Sequence, residues 1–234
     1  MKSIDEITRP LEYLSPLDRI LGPMVRKWAD EEVIPHRRRY DEDWKEHKII
    51  EPAFKKLMVD LGLQRLLLPR EVGGWGLGAS SYLGTGAFRI FEEVARADSA
   101  MAVAFGVTFW PLLMICIEPH LNMRLCREFA PLFCEGDEPC FAANAMTEPQ
   151  GGADIENLDL LGGNTITTTA RLEGDQWVIN GHKLWPTNSG GVAKLFGVVC
   201  STNVGSDDPA DFALIFVPAD APGVTQGSAY EKAG

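Results

Sequence analysis

Two short stretches of the 234-residue chain carry residue types that could handle a bound molecule. In the first, Gly151-Gly152 follows Thr147-Glu148-Pro149-Gln150. Paired glycines beside a hydroxyl residue can present backbone N–H groups to an anion such as a pyrophosphate. The spacing matches neither G-x-G-x-x-G nor a P-loop, so on residue types alone a plain turn is favoured. In the second, Trp185-Pro186-Thr187-Asn188 ends a predicted strand. An exposed indole next to a hydroxyl can stack on a flat aromatic cofactor and hydrogen-bond it. A core tryptophan ahead of a turn is the commoner use of such a pair, and chemistry alone favours it.

Other chemistries find little support. No Ser-His-Asp set, nucleophile elbow or carboxylate pair has the spacing for nucleophilic or glycosidic catalysis. His36, His47, His120 and His182 are scattered without ligand spacing, so no metal is expected. Cys116, Cys126, Cys134, Cys140 and Cys200 make an odd count with no C-x-x-C pair, which points to a reducing, cytoplasmic compartment. Cys134 and Cys140 flank the acidic run Glu135-Gly136-Asp137-Glu138, which raises a thiol pKa, and all five thiols read as structural.

Composition narrows the partners. With 22 Lys plus Arg against 33 Asp plus Glu the formal charge is −11, which repels phosphate backbones and argues against nucleic acid. The one basic run, Arg37-Arg38-Arg39, is neutralised by Asp41, Glu42 and Asp43 and reads as a solvated face. The amino-terminal residues, with Asp5 and Glu6, do not resemble an export signal. Ser99 to Ile117 is uncharged, yet it holds Pro111 and lacks basic anchors, so it is expected to be a buried central helix and not a membrane span.

The elements that would position these residues change character along the chain. Pro23 suits a first helical position, and Met24, Val25, Trp28 and Val33 repeat at helical spacing until Pro35. A second helix begins near Pro52 and ends at Gly62 in a left-handed conformation. Leu66 to Gly78 is too glycine-rich for a regular element and predicts an ordered loop with close backbone packing. Thr85, Phe88, Phe91, Val94 and Ala95 mark the next helical face, Asp98 or Ser99 caps the apolar helix, and Asn122 to Phe133 completes the helical half. After Gly136 the pattern turns to strands: Thr165 to Thr169, Gln176 to Ile179, Leu195 to Cys200 and Phe212 to Val217. Glu173-Gly174-Asp175 predicts one hairpin and Asn180-Gly181 another. This order predicts an α+β chain, with an all-helical domain over 1–136 and a β domain over 137–234.

Taken as blocks, the same stretches carry a resemblance. Phe141-Ala142-Ala143-Asn144-Ala145-Met146-Thr147-Glu148-Pro149-Gln150-Gly151-Gly152-Ala153-Asp154 resembles the acyl-CoA dehydrogenase signature A-x-T-E-P-x-A-G-S-D. Gln176-Trp177-Val178-Ile179-Asn180-Gly181-His182-Lys183-Leu184-Trp185-Pro186-Thr187-Asn188 is similar to that family's W-V-L-N-G-x-K-x-W-I-T-N. Upstream, Leu68 to Gly78 looks like its P-x-x-Y-G-G-x-G segment.

The resemblance implies a helical amino-terminal domain and an antiparallel β-barrel-like middle domain. It also implies FAD held between the middle domain and a carboxyl-terminal four-helix domain, for which this chain has no counterpart. The implied reaction is α,β-dehydrogenation of an acyl-CoA thioester, in fatty acid metabolism, with an electron-transferring flavoprotein as acceptor. By resemblance Asn144, Met146 and Thr147 lie along the flavin ring edge, Gly152 and Ala153 approach the pyrophosphate, and Trp185, Pro186 and Thr187 line the other side of the ring. Ala153 stands where the family has Ser, which removes a hydroxyl donor worth roughly 0.5–1.5 kcal/mol. Pro186 replaces an Ile-like residue and has no N–H to give.

The family's catalytic glutamate lies beyond the segment matching Ala221 to Gly234. The expectation is therefore a part or subunit that is inactive alone, completed by a further domain or partner subunit in a homo- or hetero-oligomer. A flavin-dependent monooxygenase of the same fold and a non-catalytic assembly module are the alternatives.

Overall fold

The computed structural model describes residues 16–46, 48, 50–80, 83–152 and 166–230. The chain divides into two compact units, the first running to Cys140 and the second from Phe141 to Tyr230.

The first unit is helical. Helix α1, Pro16–Trp28, passes through a π-turn at Ala29–Val33 and a 3-10 turn at Ile34–His36 into α2, Arg37–Glu42. Pro23 sits inside α1 and not at its start, and Pro35 does not end the run. Pro35 occupies the first turn of its 3-10 segment, where an N–H is not needed. Helix α3, Ile50–Lys55, continues as a π-turn to Asp60, and Gly62 closes it at φ 70° as its sequence predicts. Leu63 to Ala79 is an ordered loop. A Cβ at Gly74 would stand 2.0 Å from the Leu68 carbonyl oxygen, so only glycine fits that approach.

Helix α4, Leu83–Ala97, buries Ile90, Glu93, Val94 and Ala97, whereas Phe88, expected on the inner face, is 73% exposed. Glu93 is the reason the face is displaced. Its carboxylate takes Arg26 Nε and Nη2 at 3.0 and 2.9 Å, Arg89 Nη1 at 3.0 Å and Arg96 Nε at 3.1 Å, tying α1 to α4. Burial raises the Glu93 pKa, but the guanidinium groups outweigh it and hold the carboxyl below its ordinary range.

Asp98 caps helix α5, Ser99–Val107, accepting the Met101 N–H at 2.9 Å. The apolar stretch then breaks at Thr108-Phe109, and α6, Trp110–Cys116, restarts with Pro111 in its first turn. The expected single buried helix is thus two, with Val103, Trp110 and Met114 exposed. Among the described residues Ser99–Cys116 is the one segment long and apolar enough to cross a membrane, and half of it is buried in the fold. Helix α7, Met123–Cys134, is capped by Asn122. Arg37, read as a solvated charge, donates to the carbonyls of Ala97 and Arg96 at the carboxyl end of α4, where a cation is favoured.

The second unit is a mixed five-stranded sheet: β1 Phe141–Ala145, β2 Thr169–Glu173, β3 Gln176–Asn180, β4 Ala193–Ser201 and β5 Phe212–Pro218. The order is β1-β4-β2-β3, with β5 on the other side of β4. The expected antiparallel sheet is corrected by the pairings of β4: it runs antiparallel to β5 but parallel to β1, with Asn144 opposite Gly197, and it meets β2 in parallel at Thr169 and Ser201. Parallel neighbours need long crossovers, which the alternation of residues within each strand does not reveal.

The Gly174-Asp175 turn joins β2 to β3 as its sequence predicts, with Gly174 at φ 66°. The second expected hairpin does not form: among the described residues, 181–185 lead away from β3 without a partner strand. Gly181 is there for close approach, since a Cβ would lie 2.3 Å from Thr168 Oγ1.

Candidate functional site

Both sequence blocks lie in the second unit, and hydrogen bonds stitch them side by side. Leu184 N–H donates to Thr147 O at 2.8 Å, Lys183 Nζ to Met146 O at 3.0 Å, and Asn188 Nδ2 to Ala142 O at 3.0 Å. Asn144, Met146, Thr147 and Gly152 are thereby held on the segment next to Trp185, Pro186 and Thr187. Ala153 lies outside the described residues.

Glu148, fully buried, anchors this arrangement. It accepts the Thr167 N–H and hydroxyl at 2.7 Å each, the Thr168 N–H at 2.8 Å, Lys183 Nζ at 2.8 Å and the Gln150 amide. Burial pushes the Glu148 pKa up, but Lys183 and the Thr168 and Thr167 donors outweigh it and hold the carboxyl far below its usual range. Burial lowers the Lys183 pKa, while Glu148 opposes that fall. Residue spacing gave no sign of this pair, because its members stand 35 positions apart. Its chemistry is positional, as the carboxylate has no lone pair left for proton transfer.

The turn before the glycines is closed by two backbone bonds, Glu148 N to Gly151 O at 2.8 Å and Gly151 N to Glu148 O at 3.2 Å. The Gly151 N–H is therefore spent inside the turn, and Gly152 packs beside Thr147. The Thr147 carbonyl is engaged by Leu184, and the residue is half-buried.

Trp185 is not a core residue: its side chain is 58% exposed and its backbone stands at φ 54°. A bulky side chain at positive φ is strained by about 1–3 kcal/mol and persists where surroundings enforce it, most often at ligand sites. The enforcement is visible on both sides, in the Lys183 anchor before it and the Pro186 O to Ser189 N turn, 3.1 Å, after it. Asn188 also has positive φ, 71°, and pins the loop to β1. Among the described residues Asn144 Oδ1 is buried without a hydrogen-bond partner, a cost that a ligand N–H or O–H would remove.

In the first unit an apolar cavity of about 270 Å³ is lined by Leu66, Ile90, Phe91, Phe105, Phe109 and Trp110. Among the described residues no group of three or more His, Cys, Asp or Glu could hold a metal ion. Burial raises the thiol pKa of Cys116, Cys126 and Cys134 and takes that of Cys200 to about 11, so these four thiols stay protonated.

Comparison with known proteins converges on one family. Residues 16–136 match the family model "Acyl-CoA dehydrogenase, N-terminal domain" and residues 143–234 match "Acyl-CoA dehydrogenase, middle domain". The mitochondrial short-chain specific acyl-CoA dehydrogenase of Mus musculus is 31% identical over 218 residues, covering 92% of this chain and 47% of that protein. Acyl-CoA dehydrogenase IpdE1 of Mycobacterium tuberculosis is 32% identical over 187 residues, 77% of this chain and 43% of its own. The acyl-CoA dehydrogenase of Bacillus anthracis, solved in complex with FAD, aligns with a TM-score of 0.67 at 27% identity over 92% of this chain and 33% of that one. The chain thus spans about half the length, or less, of these relatives. With both of its halves matched to consecutive domains of one family and the relatives agreeing, the chain belongs to the acyl-CoA dehydrogenase family.

Proposed function

We propose that this chain provides the helical and flavin-holding portions of an FAD-dependent enzyme that dehydrogenates an acyl-CoA thioester between its α and β carbons. The observation that carries the reading is Trp185, an exposed indole held at φ 54° beside the Thr147 segment. The residues present fit a flavin: an unpartnered buried Asn144 Oδ1, a hydroxyl at Thr147, a glycine at position 152 and a flat aromatic surface at Trp185.

Bound FAD supplies the two-electron acceptor for such a reaction. Asn144 and Thr147 would bind the polar edge of the ring, with Met146 alongside. Gly152 and Ala153 would approach the pyrophosphate, and Trp185, Pro186 and Thr187 would cover a ring face and exclude water. Glu148 and Lys183 hold both segments in place.

Removing an α proton needs a base, and Glu148, with its depressed pKa and five donors, is not one. We assign the base to polypeptide beyond these 234 residues, a further domain or partner subunit of a cytoplasmic oligomer that passes electrons to an electron-transferring flavoprotein. The test is to load the purified chain with FAD and add acyl-CoA thioesters without oxygen. The flavin absorbance is expected to persist; rapid substrate-dependent bleaching would place a base within this chain and overturn the assignment.

A further inference from the structure

The loop that follows Trp185 is held by a distant part of the second unit. Between Trp185 and β4 the backbone takes positive φ at Asn188, Gly190 and Gly191, at 71°, 79° and 96°. Pro186 O accepts the Ser189 N–H at 3.1 Å and Asn188 O accepts the Ala193 N–H at 2.8 Å, so the loop closes on itself with the glycines at its bend. A bend built on adjacent glycines has wide conformational freedom. It keeps one shape only where its surroundings impose that shape, and the same holds for the strained Trp185 and Asn188 on its approach.

The constraint comes from the residues that follow β5. Ala221-Pro222-Gly223-Val224 forms a turn in which the Val224 N–H donates to Ala221 O at 3.1 Å and Gly223 stands at φ 87°, with proline and glycine at the two central positions that a type II turn favours for them. Past the turn, contacts fall in succession on the loop and its base. Val224 packs on the small core of Ala143, Ala193 and Phe196. Gln226 Oε1 accepts the Gly191 N–H at 3.0 Å, and Gln226 Nε2 donates to Ala193 O at 3.4 Å. Ala229 runs so close to Gly190 that a Cβ at Gly190 would stand 3.1 Å from the Ala229 backbone.

The Gln226 amide thus does for the loop what a neighbouring strand does for a sheet edge, taking an N–H from the bend and giving one to the first carbonyl of β4. The loop it closes carries Pro186 and Thr187 and begins at Trp185.

Resting on the flavin reading of this loop, we propose that residues 224–230 are a strap that presets the loop before a ligand arrives, and that Gln226 is its positioning residue. The effect passes through Gly191 and Ala193 to Thr187, Pro186 and Trp185. A ligand that needs one loop shape binds more weakly in proportion to the fraction of molecules holding that shape. Hydrogen bonds in a partly exposed place contribute modestly, so losing both from Gln226 is expected to weaken FAD binding by about three- to tenfold.

Gln226→Ala removes the side chain, and Gln226→Met keeps its length without its hydrogen bonds. Hydrogen–deuterium exchange over residues 186–193 of the flavin-free chain reads the hold on the loop, FAD titration reads its consequence, and thermal unfolding reports on the fold as a whole. Both variants are expected to exchange the Gly191 amide faster and to bind FAD about three- to tenfold more weakly at a nearly native melting temperature. Exchange as slow as in the native chain would overturn the strap, and faster exchange with native FAD affinity would overturn the positioning role. Native behaviour in Gln226→Met alone would give the hold to packing and overturn the assignment to the amide. A native chain that takes up no FAD, with loop exchange still faster in both variants, would uphold the strap and sink the flavin reading instead.

Discussion

At the scale of single residues, the site depends on groups that spend stability to hold a shape. Trp185 accepts a strained backbone, Asn144 carries an unpaired oxygen, and the buried Glu148–Lys183 pair fixes the segments bearing both. Glu148→Gln is expected to cost about 3–5 kcal/mol, because Lys183 stays buried without its counter-charge. The pH dependence follows from the direction of the shift. Glu148 and Glu93 have folded pKa values below their ordinary 4.5, so each binds a proton less readily folded than unfolded. The stability they confer is full above about pH 4.5 and is withdrawn as the pH falls from there toward the folded values. Urea titrations from pH 7 downward should show this acid loss, and Glu148→Gln should flatten it; an unchanged acid limb would remove Glu148 from that role. The two segments proposed to border the flavin were legible as blocks of sequence, whereas the ion pair that seats them was not. Nothing in residue type distinguishes a lysine or glutamate that will be buried from one left in water.

At the scale of elements, local signals succeeded where local chemistry decides the outcome. The Asp98 cap, the Gly62 stop and the Gly174-Asp175 turn were all legible, since each rests on contacts within a few residues. Asp98→Ala is expected to destabilise the chain by about 1 kcal/mol in urea melts through the lost Met101 bond. The signals failed where tertiary contacts override. Asn180-Gly181 has hairpin chemistry, yet Gly181 is claimed by Thr168, and Phe88 has helical spacing, yet Glu93 and its arginines take the inner face of α4. Gly181→Ala should therefore destabilise by about 1–3 kcal/mol through overpacking, although position 181 makes no turn. A variant as stable as the native chain in the same melts would restore the turn explanation for this glycine.

At the scale of the whole molecule, the succession of helical and then extended patterns marked a helical portion followed by a sheet, because periodicity of 3.6 or 2 survives over many residues. The sense of strand pairing did not emerge, since β1 and β4 are joined through some fifty residues and pair in parallel through contacts that no local pattern encodes. The central claim is that the second unit holds a flavin through Trp185 and the Thr147 segment. Equilibrium binding of FAD to the purified chain, read by fluorescence and set beside Trp185→Gly, tests it most directly. Glycine at this position relieves the positive φ and removes an exposed ring, so the variant should be as stable as the native chain or up to about 1 kcal/mol more so. It should nonetheless bind FAD about tenfold more weakly, a loss of about 1.4 kcal/mol from the missing stacking surface. Saturable binding by the native chain that weakens in this way, with no loss of thermal stability, is the predicted result. No FAD binding by the folded native chain, or equal binding by Trp185→Gly, would contradict the account.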